Sequence, residues 1–153
     1  MNTQSTAGAL CQRNVVTAFR SSLLDDAART MRSRHVGCLV VVDESAEGKV
    51  VAGILTDRDI VTAVVAKDVL ASSLRVGDVM TSDVVCVRED DSLQDVLATM
   101  QRRRVRRVPV VGPQQRLLGV IAADDLLREL SRQLQALTQL LGEQVKVEQM
   151  VRP

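Results

Sequence analysis

Residues 50–59, Val-Val-Ala-Gly-Ile-Leu-Thr-Asp-Arg-Asp, decide the fold of this chain. The apolar run leads directly into Thr56-x-x-Asp59, where a hydroxyl and an acid three residues later can satisfy free backbone N–H groups at a helix start. The same junction returns at residues 117–125, with Asp125 in the place of Asp59 and Ala122 in that of Thr56. Two copies of one strand-to-helix junction indicate an internal repeat.

The repeat extends over most of the chain. Its clearest matching pairs are Asp26–Met31 with Asp95–Met100, and Leu39–Val42 with Val108–Val111. Short, unalternating apolar runs are typical of strands that are covered on both faces, so Leu39–Val42 and Val108–Val111 are predicted to be central strands. After polar turns that contain Gly or Pro, residues 50–55 and 117–121 are predicted to return as partner strands.

Each copy predicts the same order of elements around these strands. A short first strand is expected at residues 15–17 and again at 84–87, where branched residues suit a pleated surface. Ser22-x-x-Asp25 and Ser92-x-x-Asp95 then predict capping boxes that begin a helix in each copy. A second helix closes each copy, from Asp57 to about residue 66 and from Asp124 onward.

The sequence therefore predicts an α+β fold of two βαββα repeats. The repeats are expected at residues 8–66 and 76–131, with a linker at 67–75 and a C-terminal helical extension and tail at 132–153. Within that extension, leucines recur at helical spacing to form an apolar seam: Leu127, Leu130, Leu134, Leu137 and Leu141. This seam packs either on its own repeats or on a second subunit, and beyond Gly142 the chain is expected to fray.

Composition excludes several classes of function. The chain has 153 residues, 46% of them apolar and 25% charged, which is typical of a globular protein. Phe19 is the only aromatic residue and the net charge is +1, so both aromatic stacking platforms for nucleic acid and a broad basic surface are missing. No apolar run approaches the length of a membrane span and no secretory leader is recognisable, so a cytoplasmic location without membrane contact is expected. Three widely spaced cysteines predict reduced, mostly buried thiols rather than disulfides or a metal site.

The repeated Gly-apolar-apolar-Thr-x-x-Asp pattern, together with Val79-Met80-Thr81 and the stretch 106–111, resembles the CBS-domain family. The resemblance covers about residues 8–131 and is closest to the stand-alone bacterial tandem pair, the Bateman module. It implies two repeats packed sheet to sheet with pseudo-two-fold symmetry and two clefts between them. These clefts commonly hold AMP, ADP, ATP or S-adenosylmethionine, and the modules form disc-like dimers. No cofactor is expected to be required.

The resemblance also implies roles for particular residues. Thr56 would contact phosphate and Asp59 would hold ribose hydroxyls, while in the second copy Asp125 would keep the ribose role and Ala122 leaves the phosphate role in doubt. Physical chemistry supports the first copy, because a carboxylate can accept two hydrogen bonds from a diol and a helix start presents free N–H groups to phosphate. The alternative is that Thr56-x-x-Asp59 is an ordinary capping box that needs no ligand.

Further contacts are expected around these motifs. Arg58 lies in a first helical turn, where the helix dipole disfavours a cation unless an anion is near. Arg106 and Arg107 immediately precede a buried strand and suit phosphate, whereas residues 102–104 are expected to be a solvated helix end. The aligned positions in the first copy are Gly37 and Cys38, so the two clefts should differ chemically and be unequally occupied. The walls for adenine are predicted to include Thr17, Cys38, Val40, Cys86 and Pro109, beside Val16, Ala18, Leu39, Val85 and Val108.

Catalysis is not expected. His35 is the single histidine and is predicted to be structural at a helix end, and no nucleophile, base and metal-ligand set can be assembled from the sequence. Three functions remain in competition. A homodimeric nucleotide sensor that acts on an unknown regulated protein is favoured over a ligand-independent dimerisation module with vestigial clefts. Nucleic-acid binding by residues 102–107 is disfavoured by the near-neutral charge and would show a steep salt dependence.

Overall fold

The computed structural model describes residues 5–151; the chain termini at 1–4 and 152–153 lie outside the described residues. Two three-stranded sheets, each flanked by helices, form the two halves. The elements of the first half are α1 (Ala7–Leu10), β1 (Thr17–Phe19), α2 (Leu24–Arg34), β2 (Cys38–Ser45), β3 (Gly48–Thr56) and α3 (Asp57–Ile60). Those of the second half are α4 (Val76–Val79), β4 (Val87–Arg88), α5 (Leu93–Arg103), β5 (Arg107–Val111), β6 (Leu117–Ala122) and α6 (Ala123–Val151).

The two sheets have the same topology. In each sheet the middle strand, β2 or β5, pairs in parallel with the first strand and antiparallel with the third. Both middle strands also carry a register shift at equivalent positions, between Val41 and Val42 and between Val110 and Val111. The predicted α+β fold of two βαββα repeats with a long C-terminal helix is therefore confirmed.

Each half has its own apolar core, but each core includes a residue from a helix of the other half. Branched residues of β2 and β3 pack with α2 in the first core, which also contains Val76 of α4. The second core is built in the same way from β5, β6 and α5, and it contains Ala7 of α1. Because α1 packs on the second sheet and α4 on the first, the two halves are interlocked.

Five isolated backbone bridges join the two halves in the described residues, and the two next to the repeated motif are called the crossing points. Ile54 of β3 pairs with Thr81, and Val120 of β6 pairs with Gln12. A glycine precedes each bridge, and a Cβ at Gly53 would lie 2.8 Å from the carbonyl oxygen of Thr81. A Cβ at Gly119 would lie 2.7 Å from the carbonyl oxygen of Gln12. The glycine of the repeated motif is therefore required by a close backbone approach from the other half.

Several predicted bounds were wrong. Both first strands begin later than expected, at Thr17 and Val87, because pairing with the middle strand starts only there. The middle strand β2 begins one residue earlier and runs three residues further than the predicted run, to Ser45, and β3 begins at Gly48. The predicted capping box at Ser22 was also wrong: Leu23 is the N-cap of α2 and makes no side-chain cap. The backbone N–H of Leu24 instead donates to the carbonyl of Leu74 in the linker, at 3.0 Å.

The closing helices of the two halves differ strongly. In the first half α3 is one turn long and continues as a π-helix, Val61–Val65, whose β-branched residues are poor helix formers. The predicted linker contains one 3₁₀ turn, Ala71–Ser73. In the second half α6 runs without interruption to Val151, so the expected fraying beyond Gly142 was wrong. Residues 131–151 of α6 are exposed, which excludes the alternative that the leucine seam packs on its own repeats.

Candidate functional site

Two clefts lie between the halves, and each is named here by its carboxylate. The Asp125 cleft has a volume of about 430 Å³. The Asp59 cleft has a volume of about 350 Å³. The Asp125 cleft is lined by Gln12, Asn14, Val15, Val16, Val36, Cys38, Val40, Arg107, Val120, Ala122, Asp124, Asp125 and Arg128. The Asp59 cleft is lined by Ile54, Thr56, Asp59, Thr81, Asp83, Val84, Val85, Arg103, Val105 and Arg107.

The two clefts are built from equivalent positions with the halves exchanged. Each combines the segment before a first strand from one half with the last strand and helix start of the other. Asn14, Val15 and Val16 of the Asp125 cleft correspond to Asp83, Val84 and Val85 of the Asp59 cleft. This exchange follows from the interlocked fold, because α1 and α4 bring the segments that follow them onto the opposite sheet.

Asp59 is held at the start of α3 by a complete capping box. Its backbone N–H donates to Thr56 Oγ1 at 3.1 Å, and its Oδ2 accepts from the backbone N–H of Thr56 at 2.8 Å. No side chain in residues 5–151 donates to this carboxylate within hydrogen-bond distance. The box therefore holds Asp59 in place at the cleft and leaves Oδ1 without a donor in residues 5–151, so capping and ligand binding are compatible functions of the same residue.

Asp125 is held more tightly by the protein itself. Its Oδ2 accepts from the backbone N–H of Ala122 at 2.8 Å, which reproduces half of the capping box without the hydroxyl. Its Oδ1 lies 3.4 Å from Gln12 Nε2 and 3.4 Å from Arg128 Nη2. Its side chain is only 9% exposed. A ligand diol in this cleft would have to displace donors that Asp125 already has.

A central groove joins the two clefts where the starts of α3 and α6 meet the loops before β2 and β5. Arg58, Arg104, Arg106 and Arg107 line it, opposed by Asp57 and Asp124. Formal charges of +4 and −2 leave this groove with an excess of positive charge, which suits an anionic group. Thr56 and Ala122 also line the groove, so it adjoins both helix starts.

The structure brings most of the predicted residues together. Seven of them lie in the clefts or the groove: Cys38, Thr56, Arg58, Asp59, Arg106, Arg107 and Asp125. Val40 also lines the Asp125 cleft. Thr17, Cys86 and Pro109 are not among the residues that line the clefts, because Thr17 pairs inside its sheet and Pro109 is fully buried. Leu39 and Val108 belong to the two cores.

Sequence reasoning missed the residues that take the place of Thr17 and Cys86. Asn14 and Val15 in one cleft, and Asp83 and Val84 in the other, lie in the irregular segments before the first strands. Arg103, assigned by sequence to a solvated helix end, lines the Asp59 cleft and lies 3.6 Å from Asp83. These positions could have been identified only from the late start of β1 and β4. That start is set by the register of pairing with the middle strands and not by local composition.

The cysteines show no sign of reactivity. Burial raises the pKa of the Cys11 and Cys38 thiols, and it raises that of Cys86 to about 11. Thiols with raised pKa values stay protonated at neutral pH and are weak nucleophiles and metal ligands. Within residues 5–151, no three His, Cys, Asp or Glu side chains lie close enough together to hold a metal ion. No helix in this range has the length and apolarity needed to cross a membrane.

Comparison with known proteins identifies the family. The family model of the CBS domain matches residues 7–66 and 76–132, so the chain belongs to the CBS-domain family and carries a tandem pair. Inosine-5'-monophosphate dehydrogenase from Methanocaldococcus jannaschii is 35% identical over 116 residues, which is 76% of this chain but 22% of that protein. Hypoxic response protein 1 from Mycobacterium tuberculosis is 29% identical over 82% of this chain and 85% of its own length.

Solved structures agree with this assignment. Hypoxic Response Protein I, crystallised with two coordinated zinc ions, superposes with a TM-score of 0.71 at 29% identity, over 81% of this chain and 98% of that one. The cytosolic domain of the Mg²⁺ channel MgtE in complex with ATP superposes with a TM-score of 0.69 at 26% identity, over 80% of this chain and 48% of that one. Several curated relatives are longer than this chain, which spans 60% of MK0525 from Methanopyrus kandleri.

Proposed function

We propose that this chain is a non-catalytic regulatory module that binds an adenosine-containing ligand, AMP, ADP or ATP, in the clefts between its repeats. S-adenosylmethionine is the alternative ligand of the same class. The observation that carries the proposal is that Asp59 lines a cleft beside an arginine-rich groove while its Oδ1 has no donor in residues 5–151. The ATP complex of the MgtE cytosolic domain supports the nucleotide class.

The two clefts are expected to bind unequally. In the Asp59 cleft a ribose diol meets a carboxylate oxygen that has no protein donor in the described chain, and Thr56 adds a hydroxyl. In the Asp125 cleft the equivalent carboxylate is already engaged by Gln12 and Arg128, and Ala122 offers no hydroxyl. The Asp59 cleft should therefore be the tighter site.

Calorimetric titration of nucleotide-stripped protein with AMP, ATP and S-adenosylmethionine tests this proposal. Asp59→Asn keeps an oxygen that can cap α3 but replaces the anionic diol acceptor, and we expect it to abolish the tighter binding phase. Asp125→Asn should leave that phase unchanged. Asp95→Asn is the matched control, because Asp95 also completes a capping box but lies outside both clefts. Equal loss of binding in Asp59→Asn and Asp95→Asn would contradict the proposed site.

Regulation is proposed to operate through a homodimer formed by α6. The seam leucines are exposed, for example Leu134 at 66%, and the charged residues Arg128, Arg132 and Lys146 lie on the opposite side of the helix. An apolar stripe without charges is complementary to a second copy of itself, as in helix bundles. A ligand shifts such an assembly only if it binds one arrangement more tightly than another. The regulated partner is proposed to be a separate protein or another part of a longer chain.

The dimer is tested by light scattering after size exclusion. The double substitution Leu134→Glu and Leu141→Glu places two charges on the seam, and we expect the dimer to dissociate into monomers. Gln135→Glu and Gln139→Glu add the same charge to the opposite side of the helix and should leave the dimer intact. A monomeric wild-type chain, or dissociation by both double variants, would contradict the role of the seam.

The competing function is a dimerisation module without ligands. Two features of the Asp125 cleft favour this second function. Ala122 has no hydroxyl for a phosphate, and the Asp125 carboxylate already accepts hydrogen bonds from the protein. Absence of heat with every ligand from a folded dimer would support this second function over the first.

A further inference from the structure

Positions 38 and 107 occupy equivalent places in the two halves. Cys38 is the first residue of β2 and pairs with Thr56, while Arg107 is the first residue of β5 and pairs with Ala122. Strict two-fold repetition would give each half an arginine at this position. The chain has only one, because the first half carries a thiol that is neutral at physiological pH.

Arg107 borders both clefts. It lines the Asp125 cleft, the central groove and the Asp59 cleft, and it forms no ion pair with any residue of the described chain. The other arginines in the clefts already have carboxylate partners. Arg103 pairs with Asp83 at 3.6 Å, and Arg128 pairs with Asp125 at 3.4 Å. Arg107 is therefore the guanidinium in the clefts that remains available to a phosphate.

We propose that the two clefts share Arg107, so that a nucleotide in one cleft takes the arginine from the other and the two binding events are anticooperative. This inference rests on the proposed function, since it concerns how nucleotides would occupy the clefts described above. One guanidinium forms its strongest, bidentate contact with one phosphate at a time. The second nucleotide must bind to a cleft that has lost its free cation.

The contacts in the two clefts predict which cleft fills first and how much weaker the second binding event is. The Asp59 cleft should fill first and recruit Arg107, because Thr56 and the free Oδ1 of Asp59 lie there. Hydrogen bonds to charged groups are among the strongest that proteins make, so the second nucleotide should bind roughly ten- to a hundredfold more weakly than the first.

AMP is the appropriate probe. Arg58, Arg104 and Arg106 line the groove but neither cleft, so a polyphosphate tail can reach them from either side. The single phosphate of AMP depends on the arginine at the cleft itself. The contrast between the two binding phases should therefore be clearest with AMP.

The experiment is calorimetric titration of the full chain with AMP, with adenosine and ATP as comparisons. Wild type should give a tight and a weak phase for AMP. Cys38→Arg supplies the missing arginine, and we expect it to reduce the ratio of the two affinities about tenfold or more. The difference that Ala122 and the donors on Asp125 impose should remain. Cys38→Ser, which adds no charge, should keep the wild-type ratio. Adenosine has no phosphate but contacts the same cleft wall, which includes Cys38. Its affinity therefore reports any change in the fit of the nucleoside, and only the change in AMP affinity beyond it is assigned to the added arginine.

Arg107→Gln provides a second test that inserts no larger side chain. It should weaken the tight AMP phase roughly ten- to a hundredfold and should have a much smaller effect on adenosine, which has no phosphate. Two equal phases in wild type, or an unchanged ratio in folded Cys38→Arg, would overturn shared use of Arg107, as would a tight phase that survives Arg107→Gln. Binding of ATP without AMP would overturn this inference alone. No binding of any nucleotide would overturn the proposed function as well.

Discussion

Glu129 is a shielded carboxylate on α6, with 8% of its surface exposed. It accepts hydrogen bonds from Arg132 at 2.6 and 2.9 Å, from Gln133 at 2.9 Å and from Ser5 at 2.8 Å. These donors, Arg132 above all, lower the pKa of Glu129 from 4.5 to about 2. Because Ser5 precedes α1, its hydrogen bond to Glu129 links the segment before α1 to the last helix.

The lowered pKa predicts a specific acid sensitivity. A carboxylate that is more acidic in the folded state stabilises the fold above its ordinary pKa, and this stabilisation is lost as the pH falls from 4.5 toward about 2. Glu129→Gln should be less stable than wild type at pH 7 and should lose less stability on acidification. Urea unfolding at neutral pH and near pH 3 measures both effects. Parallel acid profiles for the two proteins would contradict this assignment.

At the scale of elements, α2 and α5 are equivalent helices with different starts. Ser92 Oγ accepts from the backbone N–H of Asp95 at 3.1 Å in α5, whereas α2 begins at Leu23 without a side-chain cap. Ser92→Ala should therefore destabilise the protein by about 1 kcal/mol, and Leu23→Asp should stabilise it by a similar amount. Chemical unfolding measures both changes. If Ser22→Ala were as costly as Ser92→Ala, the difference between the two helix starts would be refuted.

The same two helices show what the sequence could and could not predict. The sequence correctly predicted the repeat, the apolar runs of β2 and β5 and the capping box at Ser92, because each of these depends on residues close together in the chain. Ser22 had the same local pattern and failed, since the N–H of Leu24 is satisfied by the carbonyl of Leu74, about fifty positions away. The carboxylates of both clefts were identified from their motif. The wall residues Asn14 and Asp83 were not, because the start of each first strand is set by pairing with a distant strand.

At the scale of the whole molecule, the interlocked halves should behave as one folding unit. Ala7 completes the second core and Val76 completes the first, so neither half can bury its core with its own segment alone. The exchanged segments also form the walls of the clefts. Stability and ligand binding are therefore expected to depend on the same crossing points.

Substitutions at these crossing points test that coupling. Gly119→Ala brings a Cβ to 2.7 Å from the Gln12 carbonyl, and Gly53→Ala brings one to 2.8 Å from that of Thr81. Backbone oxygens cannot move aside as side chains do, so each variant should lose about 1–3 kcal/mol of stability. Gly142→Ala is the matched control, because no atom lies within 4 Å of its Cβ and alanine favours the helix.

The number of unfolding transitions tests the coupling as directly as the loss of stability does. Circular dichroism should show one cooperative transition for each crossing-point variant, and hydrogen exchange should show both sheets losing protection together, since each core depends on a segment delivered by the other half. Gly119→Ala should weaken nucleotide binding mainly in the Asp125 cleft, whose wall includes Gln12. Gly53→Ala should act mainly on the Asp59 cleft through Thr81. Two separate transitions, one for each half, would show that the exchanged segments do not couple the repeats.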